Sequence, residues 1–247
     1  MAQSPPNPRL SPPWHHPRYY GLRAVRDALH GTFRKHITAG ARVLDYGCGT
    51  APYRPLVDQF ASDYLQADLA ANPSATIHIH PTTGQIGLPD ASVDIVLSTQ
   101  VLEHVPAPAE YLAEARRITR PDGLLILSTH GFWKYHPDPT DFWRWTASGL
   151  HRLVNAHGWT VIDHTGVLGF AAASACLFQD AIAQRLPKFL RPTNAVIMQR
   201  IIAGLDRLYS PDQRKENAAV YVVVARATST AASGPTASPG DSHRAAA

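Results

Sequence analysis

Cysteine is scarce in this chain. There are two in 247 residues, Cys48 and Cys176, far apart and in no C-x-x-C pattern. That excludes a disulfide framework and a cysteine-ligated zinc site, and it fits a reducing, cytoplasmic compartment. Long apolar runs are also lacking: no stretch reaches the ~18 uninterrupted apolar residues of a spanning helix. The nearest, "VLGFAAASACLFQDAIA", is broken by Gln179 and Asp180. The opening "MAQSPPNPRLSPP" has no apolar segment behind it, so a secretory signal is not expected. Charge is not concentrated either. The 23 Lys and Arg against 19 Asp and Glu leave a net charge of +4, with no basic run interleaved with aromatics. Nucleic acid is therefore not an expected partner. No internal repeat is present. Residues 1–17 are rich in proline with Ser and Asn, and 229–247 are poor in large apolar residues, which predicts a disordered Pro-rich arm and a disordered tail.

Between these lies one domain, 18–228, with regular alternation. Leu22, Val25, Leu29, Phe33 and Ile37 stand at helical spacing and predict a helix over about 19–37. Strands are expected at 41–45, 63–69, 76–80, 92–99, 123–130, 159–167 and 217–227. Further helices are expected at 55–61, at 108–120 where "PDG" stops it, and at 146–158, capped by Thr146 or Ser148 and ended by Gly158. Continuously apolar strands alternating with helices predict an α/β fold: a Rossmann-like, seven-stranded, mostly parallel sheet with helices on both faces. Residues 170–210 form a helical insertion before the last strand. Ile197, Ile201, Leu205 and Leu208 make one face, widened by Val196, Met198, Ile202 and Tyr209. Two readings stay open. The face is a lid or homodimer surface covered by more protein, or it is an apolar platform for a lipid-like substrate or membrane surface. Arg185, Lys188, Arg191, Arg200 and Arg207 punctuate it in a way that suits the second.

The turn after the first strand, "DYGCGTAP", carries Gly47 and Gly49. A dinucleotide fingerprint would continue to Gly or Ala at the sixth position, where this chain has Pro52. Asp45 is the stronger objection, because a pyrophosphate would place negative charge beside its carboxylate. A ligand carrying an ammonium and a sulfonium reverses that sign, and S-adenosylmethionine is such a ligand. Asp68 ends the second strand 19 residues after Gly49, where an acid can accept hydrogen bonds from ribose hydroxyls.

These segments, "VLDYGCGTA", "QADL" and "LPDASVDIVLSTQVLEHVPAPAEYLAEARRITRPDGLLILSTH", resemble the class I S-adenosylmethionine-dependent methyltransferases. The similarity is greatest to the branch that includes the ubiquinone/menaquinone-biosynthesis methyltransferases, and it covers about 18–165 plus the final strand. The resemblance implies that Asp45, Gly47 and Gly49 hold the methionine end, Asp68 the ribose, Leu69 the adenine, and that Gln100 lies beside the cofactor. The acid that reaches the adenine amine in similar enzymes is absent from "TTGQIGLP", leaving a backbone amide or Gln85 to replace it. Tyr19 and Tyr20 precede the first helix, either folding over the cofactor or packing a helix end.

The acceptor side is less defined. His104 and His130 stand at the carboxyl ends of the fourth and fifth strands, and His104 is the expected catalytic base. The loop "HGFWKYHPDPTDFWRWT" follows. Trp133, Tyr135, Phe142, Trp143 and Trp145 suit an apolar wall, and His136, Asp141 and Arg144 suit polar substrate contacts. Alternatively, Asp141 and Arg144 pair and brace the loop while the aromatics plug the core. His130, His136, Asp138 and Asp141 are irregularly spaced for metal ligands, so no metal is expected. Cys48 reads as a small buried filler. The expectation is a methyltransferase acting on an oxygen or nitrogen of a small-molecule or sugar-derived metabolite. The alternatives are a lipid-linked or polyprenyl acceptor, and a catalytically silent cofactor-binding subunit.

Overall fold

A computed structural model describes residues 7–137 and 140–228. The seven strands are β1 (Arg42–Tyr46), β2 (Asp63–Asp68), β3 (Ile77–His78), β4 (Val93–Thr99), β5 (Thr119–His130), β6 (Trp159–Gly169) and β7 (Ala218–Ala227). They form one sheet in the order β3-β2-β1-β4-β5-β7-β6. Pairing is parallel from β3 to β5, while β7 runs antiparallel to both β5 and β6. The sheet is thus mixed and mostly parallel. In β7, nine of ten residues are buried, which is why "AAVYVVVARA" reads as a continuous apolar run instead of alternating.

The helices are α1 (Tyr19–His36), α2 (Arg54–Val57), α3 (Pro108–Ile118), α4 (Ala147–Ala156), α5 (Phe170–Ala183), α6 (Arg191–Asp206) and α7 (Pro211–Glu216). They cover two separate cores. On one face Leu44, Val96, Leu125 and Val223 pack with Leu112 and Ile118 of α3 and Leu150 and Val154 of α4. On the other, Val43, Ile95, Ile126 and Val224 pack with Leu29 and Phe33 of α1, Ala172 of α5 and Ile202 of α6. Leu29 and Phe33 are fully buried, and each such side chain contributes about 1.5–3 kcal/mol. Local signals agree with the elements. Thr146 caps α4 by accepting from the Gly149 N–H at 3.1 Å, and Arg34, Lys35 and His36 sit in the last turn of α1, where the helix dipole favours cations.

Two expectations need correction. The "PDG" segment does not end α3, which stops at Ile118. It bulges out within β5, since Val93 pairs with Thr119 but Ile95 with Leu124, and Asp122 takes a left-handed φ of 61° there. The helix after the glycine turn is a single turn, Arg54–Val57. The apolar face noted on the insertion is largely open in this chain. Ile197, Ile201 and Leu208 are exposed, while Ala195, Met198 and Ile202 go inward.

The arm expected to be disordered also has a place over part of its length. Asn7 Nδ2 donates to the Pro52 carbonyl at 2.9 Å, and Arg26 donates to the Leu10 carbonyl at 2.8 Å. Two buried glutamines of the insertion, Gln179 and Gln199, both donate to the Pro17 carbonyl, at 2.7 and 2.8 Å. The remainder of the arm and the tail from 229 lie outside the described residues. Among the described residues no helix is long and apolar enough to cross a membrane.

Candidate active site

The carboxyl ends of β1, β2, β4 and β5 open onto one cavity of about 1000 Å³. In an open α/β sheet this is where ligands bind. Its near half is backbone of the glycine turn, and its far half is the loop after β5.

In the near half, Gly47 has φ +85°, and a Cβ there would lie 2.7 Å from both methyl groups of Val101. No other residue fits that position without strain. The Gly47 and Cys48 amides both donate to the Ala67 carbonyl, at 2.9 and 3.0 Å, which ties the turn to β2. Below it, the Tyr111 hydroxyl lies 2.8 Å from Ser98 Oγ and 3.0 Å from the Tyr46 carbonyl. Asp68 lines the cavity. Its Oδ2 accepts from the Gly49 N–H and from Asn72 Nδ2, both at 2.7 Å, and its Oδ1 accepts from the Leu69 N–H at 2.7 Å. Each oxygen has two lone pairs, so Oδ1 keeps one for a ligand hydroxyl. Leu69 and Gln100 also line the cavity. Gln100 is held at φ 57°, with its N–H donating to the Ser128 carbonyl at 2.8 Å.

Asp45 lies beneath this turn and is not itself part of the cavity wall. It is 1% exposed; its Oδ2 accepts from the Tyr64 hydroxyl and its Oδ1 has no partner. Burial lifts its carboxyl to about 7, and the nearby Asp68 charge adds to the lift, against the Tyr64 hydrogen bond. Two carboxylates side by side, one with an orphaned buried oxygen, make a field that suits a cationic ligand. The residues fit the methionine end of S-adenosylmethionine on that ground. The segment 79–84 forms the wall beyond Leu69. It precedes a segment pinned from α3, where the Ile86 N–H donates to Glu114 and Arg117 donates to the Leu88 carbonyl. Gln85 does not line the cavity.

In the far half, His104, His130 and His136 line the cavity together with Trp133. His104 Nδ1 lies 2.7 Å from the Thr140 carbonyl oxygen. A carbonyl only accepts, so the ring hydrogen sits on Nδ1 and Nε2 keeps a lone pair. His130 stacks on Trp133, and burial pushes it down to about 3, with the charges of His136 and Arg144 adding to the effect. His136 meets both other rings edge-on, at 4.9 and 5.0 Å, and is lowered chiefly by burial. Beside them, Glu103 is wholly buried and raised for the same reason.

Four expected substrate contacts fall elsewhere, since Asp141, Trp143, Arg144 and Tyr19 do not line the cavity. Arg144 pairs with Asp141 through two nitrogens and donates to the Trp133 and Lys134 carbonyls, at 3.0 and 2.6 Å. Asp141 also accepts from the His136 N–H at 2.9 Å. The pair therefore braces the loop and sets His136 in place. Trp143 donates to the Val105 carbonyl at 2.8 Å and stacks on Trp145. The Tyr19 hydroxyl accepts from Arg23 at 2.8 Å. Tyr135 and Phe142 are exposed, and of the loop's six Phe, Tyr and Trp residues only Trp133 faces the cavity. Asp138 lies outside the described residues. Residues missed by sequence reasoning are Arg9 and Pro17 of the arm and the adjoining Arg18, which line the cavity, and Glu103. Proline-rich composition hid the first group, and nothing in "VLEHV" marks a buried glutamate.

Sheet order, the antiparallel seventh strand and a cavity over the parallel strand ends define a Rossmann-like cofactor-binding domain. Residues 14–164 match the methyltransferase domain family, so the chain belongs to that family. S-adenosylmethionine is the cofactor this membership assigns to the site. The chain is 32% identical over 147 residues to a probable S-adenosylmethionine-dependent methyltransferase of Mycolicibacterium smegmatis, covering 53% of this chain and 57% of that protein. It is 31% identical over 102 residues to the ubiquinone biosynthesis O-methyltransferase of Roseobacter denitrificans, covering 36% and 41%. The chain thus spans about half the length of these curated relatives. Among solved structures, the methyltransferase seen in complex with the Trm112 activator of Haloferax volcanii has a TM-score of 0.54 at 16% identity. It covers 87% of this chain and 96% of that one, a likeness of fold alone.

Proposed function

We propose that the protein transfers the methyl group of S-adenosylmethionine to an oxygen or nitrogen of a small-molecule or sugar-derived metabolite. The observation that carries this reading is the pairing, in one cavity, of a carboxylate-flanked glycine turn with a histidine whose Nε2 is free to accept a proton. Gly47 and Gly49 hold the methionine end, and Asp45 acts on it from beneath the turn through its charge. Asp68 takes a ribose hydroxyl and Leu69 packs on the adenine, with Gln100 beside the cofactor. When bound, the cofactor supplies an already activated methyl, so the protein's part is to orient the acceptor and exclude water. His104 takes the acceptor's proton at Nε2, its Nδ1–H fixed on Thr140. The arm closes one side of the site, and Trp133 gives the acceptor an apolar wall. Oxygen is the favoured acceptor atom, because a hydroxyl needs such a base and because one similar protein is named an O-methyltransferase.

The test is calorimetric titration with S-adenosylhomocysteine, followed by methyl-labelled donor and a panel of phenolic, sugar and amine acceptors. Binding of the cofactor product with labelling of a hydroxyl acceptor supports the reading. Stabilisation by NAD and not by S-adenosylhomocysteine overturns it.

A second acceptor class has its own support. Phe178, Phe189, Leu190, Ile197, Ile201 and Leu208 are exposed on the insertion. From residue 181 to 210 its only acid is Asp206, which is buried. An apolar surface flanked by cations alone suits a lipid-linked acceptor at an anionic membrane. Co-sedimentation with phosphatidylglycerol vesicles, absent with phosphatidylcholine, favours this class. Its loss in Ile197→Glu/Leu208→Glu places the contact on the insertion.

A further inference from the structure

Beside His104, the far half of the cavity contains an arrangement that a single base does not require. Glu103 is fully buried, and its Oε2 accepts from the Thr129 hydroxyl at 2.8 Å. Its Oε1 has no hydrogen-bond partner. His130 Nε2 lies 3.6 Å from that oxygen. The other ring nitrogen of His130 faces the Ala219 carbonyl at 3.4 Å, and since a carbonyl can only accept, Nδ1 carries the hydrogen. The Nε2 lone pair is then turned toward a carboxylate lone pair. His136 Nε2 is a third buried atom without a partner. One donor atom from each of the three residues lies within 4.8 Å of the other two. Arg144 does not resolve this, because it is spent on Asp141. Unpartnered polar atoms converging in a buried space are costly unless a proton or a cation lies between them, and a cation can serve all three at once.

We propose that Glu103, His130 and His136 form a binding site for a divalent transition-metal ion, with zinc the best match. Two imidazoles and one carboxylate are the ligand set of open zinc sites, in which a remaining position faces the substrate. The same set also takes other first-row divalent ions. The surroundings have the form such ligands require. Thr129 holds the far oxygen of Glu103, and Ala219 fixes the His130 tautomer that presents Nε2. Bonds of about 2.05 Å put tetrahedral donors roughly 3.4 Å apart. The Glu103–His130 pair is already near that spacing at 3.6 Å. His136 sits in the loop after β5 and closes the remaining distance. His104 stands outside the set, since its Nδ1 is bound to Thr140. Since His130 and His136 line the cavity, the ion's open position can take an oxygen of the acceptor. That role rests on the methyl-transfer reading; the ion site does not.

The test uses the full chain without an affinity tag, stripped by a chelator and titrated with zinc chloride, with manganese and magnesium chloride in parallel. One zinc per chain is expected, confirmed by elemental analysis after dialysis. Glu103→Gln keeps the shape and supplies an N–H to His130, and His136→Ala alters only the loop residue. Each should weaken zinc binding on the order of a hundredfold, with circular dichroism and S-adenosylhomocysteine affinity unchanged. His151→Ala serves as the control. It breaks a separate close imidazole pair, His151 Nε2 to His164 Nδ1 at 3.0 Å, and should leave zinc uptake intact. No stoichiometric uptake by the native chain overturns the proposal. So does uptake that survives both site variants, or uptake lost in His151→Ala. Zinc binding without S-adenosylhomocysteine binding would overturn the methyl-transfer reading and leave the ion site standing.

Discussion

The two halves of the cavity are built by different means. The cofactor half is backbone: a glycine turn hung from Ala67, a strand-end acid tied to two amides, and an amide after β4 bonded to Ser128. Its shape follows from the register of β1, β2 and β4, which is fixed by the two cores beneath it. The acceptor half is side chain on loop. Its three imidazoles stay in place because Arg144 and Asp141 brace the segment and the Ala219 and Thr140 carbonyls meet the rings. A scaffold of this kind keeps its donor constant and varies its acceptor, since loop residues change at less cost than strand ends.

Substitutions can separate the halves. The largest expected effect is His104→Gln, which should lower turnover on the order of a thousandfold with S-adenosylhomocysteine affinity unchanged. Equal loss of both would break the division. Gly47→Ala should act in the opposite sense. The left-handed φ and the Val101 contact together cost enough to weaken cofactor binding on the order of a hundredfold by calorimetry.

Asp45→Asn comes next, with an affinity loss of roughly tenfold or more, read by the same titration. Its pH behaviour is distinctive. Burial lifts the Asp45 carboxyl from 3.8 to about 7, so the folded protein holds a proton there that the unfolded chain has released. The stability associated with that proton is present at low pH and is lost as pH rises through about 7. Without cofactor, the Tm of Asp45→Asn should exceed that of the native chain at pH 8, and the gap should shrink toward pH 4. Arg144→Ala leaves the Asp141 carboxylate buried and unpaired. It should raise the acceptor KM roughly tenfold by moving His136, with the cofactor Kd unaltered. Smallest is Gln85→Ala, expected to leave both constants within about twofold, as a side chain outside the cavity should.

The same division governs what could be read beforehand. Strand periods, the glycine turn and Asp68 were legible because one short segment carries each signal and repeated backbone geometry enforces it. "HGFWKYHPDPTDFWRWT" was legible only as chemistry. Whether Asp141 binds substrate or Arg144 depends on distances across a loop, and composition supplies none. What covers the core side of α6 was not legible for a related reason. Ile197 and Ile202 both fit helical spacing, and only the position of α1, α5 and the sheet decides which turns inward. Gln179 looked like an interruption of an apolar run, yet with Gln199 it holds the Pro17 carbonyl and so attaches the insertion to the arm.

The placement of β7 has a consequence for biogenesis. Residues 218–227 slot between two strands made earlier, β5 and β6, which have no hydrogen bonds to each other. A nascent chain that has cleared the ribosome only as far as α6 therefore presents two bare strand edges, each ready to pair with whatever extended segment it meets. Completion of the sheet waits for a single late ribbon of valines. Factors that shield nascent chains would matter most to this protein during the synthesis of residues 170–217.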